Sequence, residues 1–120
     1  MPRVVVIDDE QAVADVCAAV LRTAGYHVSV ANDGESGAKL IREILPDVVV
    51  SDIRMPGMSG HDLVSILRNE PATTHIPVLL ISGHGNSDLS RCDAFLSKPF
   101  VVSELLSVVR RLAAQSVRAP

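Results

Sequence analysis

Short runs of β-branched and aliphatic residues alternate along the chain with stretches whose apolar positions recur every three or four residues. Arg3 to Asp8 (RVVVID) is a continuous apolar run ending in acid, short enough for a strand buried on both faces. From Gln11 to Ala24, the apolar residues Val13, Val16, Cys17, Val20, Leu21 and Ala24 fall at helical spacings. They predict a helix with one buried face, ended by Gly25. Tyr26 to Ala31 alternates as a second strand, and Asn32-Asp33-Gly34 reads as a turn. Ala38, Ile41, Ile44 and Leu45 mark a second helix that must stop before Pro46. Asp47 to Asp52 (DVVVSD) repeats the first design, an apolar strand closing on an acid. Ser59 and Asp62 form a capping pair for a third helix that buries Leu63, Ile66 and Leu67. Pro77 to Ser82 is a fourth strand, Ala94 to Ser97 a fifth, and Val101 to about Leu112 a last helix. That helix carries Val102, Leu105, Val109 and Leu112 on one face.

This alternation implies an α/β fold: a five-stranded parallel sheet with helices on both faces. With 120 residues and no linker or repeat, the expectation is a single domain over 1–120. Its core covers about 3–113, and 114–120 is a tail. One segment breaks the rhythm. Gly83 to Asp93 (GHGNSDLSRCD) holds Leu89 as its sole large apolar residue, so the fourth helix is expected to be shortened or absent.

Composition narrows the function. Hydrophobic residues make up 48% and charged residues 21%, the balance of a folded globular chain. Tyr26, Phe95 and Phe100 are the only aromatics, leaving Val, Ile, Leu and Ala to build the core. The formal charge of −3, with its basic residues scattered, argues against nucleic-acid binding by this domain. Cys17 and Cys92 form no paired motif, and Cys17 lies on an apolar helical stripe as a small hydrophobe. No apolar run approaches membrane-spanning length and Met1 leads straight into a strand, so a reducing cytoplasm is the expected setting.

In an open parallel sheet, active groups gather at the carboxyl ends of the strands. Here those ends carry Asp8 and Asp9, then Asp52, Ser82 and Lys98. Singly, each has a plain explanation as a cap, a turn former, a loop hydroxyl or a surface lysine. Their convergence on one rim does not. Carboxylates 4 Å apart repel by about 4 kcal/mol per pair at an effective dielectric near 20, so one protonates or a cation binds. Oxygen-only ligands select a hard ion, and few protein ligands with several waters favour Mg²⁺ over Ca²⁺. The dispersed His27, His61, His75 and His84 offer no zinc set. A hydrated Mg²⁺ beside a lysine and a hydroxyl is a phosphate site. Asp52 is then the best-placed nucleophile, forming an aspartyl phosphate with Lys98 and Ser82 on its oxygens.

These residues resemble the receiver domain of two-component response regulators. The resemblance spans Val4 to Leu112 and is carried by VVVIDDE, VVVSDIRMPGMSG, LLIS and FLSKPF. It implies a flavodoxin-like (CheY-like) doubly wound fold and phosphorelay signal transduction. It further implies that Asp52 is the phosphoacceptor, and that Asp9, Asp52 and the Arg54 carbonyl ligate Mg²⁺, with Asp8 acting through a metal-bound water. Lys98 would hold a phosphoryl oxygen beside a cis Lys98–Pro99 bond. Gly83 would let the backbone approach the phosphate. Ser82 and Phe95 would form the switch pair that alters the strand-four and strand-five surface, while Arg54 and His84 would flank the phosphoryl group. The implied donor is a phosphohistidine on a sensor histidine kinase or a histidine phosphotransfer protein, with an unnamed downstream effector and a homodimer as one open arrangement. The shortened fourth helix departs from the family pattern on the face commonly used for output.

On this reading the chain is not an enzyme but a phosphoacceptor that assists its own phosphorylation and dephosphorylation. A haloacid-dehalogenase-type phosphatase would want Asp-x-Asp after the first strand, where this chain has Asp8-Asp9, and room for a substrate cap. The alternative reading is a phosphorylation-independent pseudo-receiver that works by docking.

Overall fold

The computed structural model describes residues 2–83 and 92–117. In chain order the elements are β1 (Arg3–Ile7), α1 (Gln11–Thr23), β2 (His27–Ala31), α2 (Gly34–Ile44) and β3 (Val48–Asp52). There follow α3 (Gly60–Arg68), β4 (Val78–Ser82), β5 (Ala94–Ser97) and α4 (Val102–Val117). The strands form one parallel sheet in the order β2-β1-β3-β4-β5. The winding reverses at β1, so a crevice opens between the carboxyl ends of β1 and β3.

Each inner strand alternates its side chains between two cores. Val4, Val6, Val48, Val50, Leu79 and Ile81 face α1 and α4, meeting Ala14, Cys17, Leu21, Leu105, Val109 and Leu112. Val5, Ile7, Val49, Val78 and Leu80 face α2 and α3, meeting Ala38, Ile41, Leu63, Val64 and Leu67. Burial on both faces is why β1, β3 and β4 read as unbroken apolar runs.

Several helical details depart from the sequence expectation. Helix α1 buries Ala14, Cys17, Ala18 and Leu21, while Val16 is 58% exposed. Small alanines let the helix lie close to the sheet and turn Val16 outward. In α3, Val64 is buried and Ile66 only half-buried. In α4, Leu105, Val109 and Leu112 are buried but Val102 is exposed, and the helix runs on to Val117 through Ala113, Ala114 and Gln115, all good helix formers. Helix α2 begins at Gly34 rather than near Ala38, because Asp33 caps it: its Oδ1 accepts from Ser36 N (2.7 Å) and Ser36 Oγ (2.6 Å). The expected Ser59–Asp62 capping box is present on α3.

The lower rim is tied together by Arg68. Its Nη1 donates to the carbonyls of Thr74 (3.1 Å) and Ile76 (2.9 Å), and its Nη2 to Asp93 Oδ2 (2.7 Å). Asp93 Oδ2 also accepts from Val78 N (2.8 Å), and Asp93 N donates to the Val78 carbonyl (2.9 Å). This clamp joins α3 to the starts of β4 and β5. The segment expected to hold a shortened fourth helix lies, apart from Gly83, Cys92 and Asp93, outside the described residues. Among the described residues, no helix is long and apolar enough to cross a membrane.

Candidate functional site

Strand register delivers the chemistry to one level. Ile7 pairs with Ser51, which sets Asp8 beside Asp52, the last residue of β3. Asp52 pairs with Ile81, and Ser82 with Ser97, so Lys98 leaves β5 at the same rim. Lys98 N donates to the Ser82 carbonyl at 2.8 Å, and the Lys98–Pro99 bond is cis. The Lys98 ammonium then reaches back across the crevice. Its Nζ lies 3.4 Å from Asp52 Oδ2, 3.6 Å from Asp8 Oδ2 and 3.7 Å from Glu10 Oε1.

Asp8 and Asp52 are buried, at 4% and 6% exposure, as is Ser82 at 2%. Glu10 N donates to Asp8 Oδ1 (2.9 Å), and Asn32 Nδ2 donates to the Asp8 carbonyl (3.1 Å). Ser51 Oγ donates to the Asp52 carbonyl at 2.9 Å, and Gly60 N to the Ile53 carbonyl at 2.8 Å. A cavity of about 310 Å³ opens over this group, lined by Asp9, Glu10, Asp52, Arg54, Gly83 and Lys98. A larger cleft of about 730 Å³, between α2 and Pro56 to Met58, contains none of the expected site residues.

Burial pushes the Asp8 carboxyl above its ordinary value; the Glu10 amide opposes this, Asp52 adds to it, Lys98 opposes it, and Asp9 adds a little more. Burial works against the Lys98 ammonium, but Asp8, Asp52 and Glu10 together outweigh it and raise its pKa. Burial also lifts the Cys17 thiol to about 11, in keeping with its place as a small core hydrophobe.

Asp8, Asp9, Glu10 and Asp52 set four negative charges against the positive charges of Lys98 and Arg54. The imbalance is that of one divalent cation. Carboxylate oxygens of Asp8, Glu10 and Asp52 lie within 4.8 Å of one another, a hard all-oxygen donor set with Asp9 on the same cavity wall. The residues present therefore fit Mg²⁺.

All the expected acids, Arg54, Ser82 and Lys98 come to this rim. Phe95 is half-buried against the α2–α3 core. Gly83 lines the cavity, and among the described residues a Cβ there would meet only Lys98 Cβ, at an ordinary 3.9 Å. His84 lies outside the described residues. Sequence reasoning gave Glu10 no role, although a third consecutive acid at the head of a helix was the available signal.

A family model described as the response regulator receiver domain matches residues 4–110. The chain belongs to this family. Response regulators and receiver domains also stand among its curated relatives and among solved structures. The DNA-binding dual master transcriptional regulator RpaA of Synechocystis sp. is 36% identical over 126 residues, covering all of this chain and 52% of that protein. The DNA-binding response regulator MtrA of Mycobacterium tuberculosis is 32% identical over 114 residues, covering 90% and 49%. The chain spans about half the length of these curated relatives. Among solved structures, the signal receiver domain of a signal transduction histidine kinase from Syntrophus aciditrophicus superposes with a TM-score of 0.91 at 26% identity, covering 100% of this chain and 96% of that one. A Francisella response regulator receiver domain gives 0.88 at 30%, covering 97% and 99%.

Proposed function

We propose that this receiver domain accepts a phosphoryl group on Asp52, in a Mg²⁺-dependent reaction, from a phosphohistidine of a sensor histidine kinase or a histidine phosphotransfer protein. The observation that carries the reading is the Lys98 ammonium held within 3.7 Å of three carboxylates at the mouth of the β1–β3 crevice. An Asp52 carboxylate oxygen attacks the phosphorus in line, the O–P bond forms as the P–N bond breaks, and the imidazole leaves with a proton from solvent. Lys98 moves its charge from the carboxylates to a phosphoryl oxygen, and Ser82 donates to another. Asp9, Asp52 and the Arg54 carbonyl would hold the metal, with Asp8 acting through water. The bound ion would supply charge neutralisation on the same oxygens.

The domain acts on itself rather than on a turned-over substrate. Movement of Ser82 toward the phosphoryl group, with Phe95 following into the space, shifts the β4–β5 surface and hence affinity for a downstream effector. The DNA-binding role of RpaA and MtrA belongs to those longer proteins, and at a charge of −3 this domain does not itself take nucleic acid. The setting is cytoplasmic.

Intact-mass spectrometry after incubation with phosphoramidate, with and without Mg²⁺, tests the proposal. Wild type gains one phosphoryl group only with Mg²⁺, and Asp52→Asn gains none. No gain under any condition would leave the phosphorylation-independent docking module as the function.

A further inference from the structure

Glu10 occupies the N-cap position of α1, yet its side chain makes no capping hydrogen bond. The backbone is extended there (φ −91°, ψ 106°), the conformation from which a short polar side chain reaches back to the second or third helical amide. Asp33 and Ser59 do so at the heads of α2 and α3. The Glu10 carboxylate instead stretches over the cavity, 65% exposed, with Oε1 3.7 Å from Lys98 Nζ. An oxygen of it lies within 4.8 Å of carboxylate oxygens of both Asp8 and Asp52. The Glu10 amide meanwhile donates to Asp8 Oδ1, so backbone and side chain of one residue both address the site.

We propose that Glu10 is a positioning residue of the phosphoacceptor site, which leaves α1 uncapped in order to hold Lys98 over the cavity and to raise its affinity for Mg²⁺. The inference rests on the reading of the site given under Proposed function. With a cation on Asp9 and Asp52, those carboxylates share their charge with it, and their pull on Lys98 weakens. Glu10 at 3.7 Å and Asp8 at 3.6 Å then remain as the acids facing the ammonium. Being largely exposed, it acts through a screened field at about the distance of one water, an effect of several-fold rather than orders of magnitude. The length of the side chain matters as much as its charge. An aspartate at position 10 would keep the charge but fall short of Lys98, and would instead reach the free amides of α1.

Isothermal titration of Mg²⁺ into wild type, Glu10→Gln and Glu10→Asp, with thermal melts in EDTA, separates the two roles. Glu10→Gln is expected to raise the Mg²⁺ Kd about five-fold. Glu10→Asp is expected to raise the Kd as well while raising Tm in EDTA, because the helix gains its cap. A double-mutant cycle with Lys98→Met, read in the rate of phosphorylation by phosphoramidate, is expected to show several-fold coupling. Unchanged Mg²⁺ affinity in both Glu10 variants, beside a wild type that binds the ion, would overturn the inference and leave the metal site standing. Strict additivity in the cycle would overturn the hold on Lys98. A wild type that takes up no Mg²⁺ would remove the metal reading itself, and this inference with it.

Discussion

Replacing Gly60 with alanine tests how tightly the end of β3 is held. Gly60 opens α3 against the end of β3, and a Cβ there would stand 2.6 Å from the Asp52 carbonyl oxygen and 2.9 Å from Ile53 Cα. Both are backbone atoms at the carboxyl end of β3, so neither can swing aside as a side chain would. A third contact, to Leu80 Cδ2 at 3.2 Å, closes the remaining direction. Overpacking of this kind costs about 1–3 kcal/mol, and a first-turn position recovers only part of the roughly 1 kcal/mol by which alanine exceeds glycine in a helix. A net loss of about 2 kcal/mol follows. At an unfolding entropy of about 2.1 cal/mol/K per residue, that loss lowers Tm by about 8 °C. Because the displaced atoms belong to Asp52 and Ile53, phosphorylation by phosphoramidate slows as well, on the order of ten-fold. Gly83→Ala is the control: among the described residues its Cβ meets only Lys98 Cβ, at 3.9 Å, and Tm stays within about 2 °C. Calorimetry and intact-mass time courses on both variants give the answer. A Gly60→Ala protein that melts with wild type and phosphorylates at its rate would refute the packing argument.

Three further outcomes are expected. Asp8 binds its proton more tightly folded than unfolded, so in Mg²⁺-free buffer its contribution to stability falls as pH rises from near 3.8 through its raised folded value. Denaturant titrations across that range will show Asp8→Asn gaining on wild type as pH increases, and a constant difference would contradict the raised value. Arg68→Ala removes two carbonyl contacts and the Asp93 pair of a side chain only 16% exposed, costing about 2–3 kcal/mol in urea unfolding. In thiol titration at pH 8, Cys92 reacts first and Cys17, buried with a pKa of about 11, reacts only on unfolding; simultaneous labelling in the native state would be inconsistent with its burial.

What could be read from the sequence follows physical lines. Strands buried on both faces announce themselves, and Val4 to Ile7, Val48 to Val50 and Val78 to Ile81 were placed by apolar continuity alone. The rim assembled because acids, hydroxyl and lysine close those strands. Helix faces were less legible where small residues pack: Ala14 and Ala18 lie inside while Val16 lies outside. The head of α2 was hidden by Asn32-Asp33-Gly34, a turn signal that here supplies an N-cap. Gly34 and Gly37 weigh against a helix by propensity, yet a Cβ on either would collide with Met58 or Ile7. Glu10 was missed because no periodicity shows which way the first residue before a helix will send its side chain.

The Arg68–Asp93 clamp has an evolutionary consequence. It fixes the chain's return to β5 from below, through bonds that join α3 to the starts of β4 and β5. Lengthening a span whose two ends are already pinned costs little, about 0.6 kcal/mol for each doubling. Chimeras carrying longer inserts there are expected to keep the acid rim and its lysine in register. Receivers built this way can vary the surface they show to partners while leaving the acid rim and its lysine untouched.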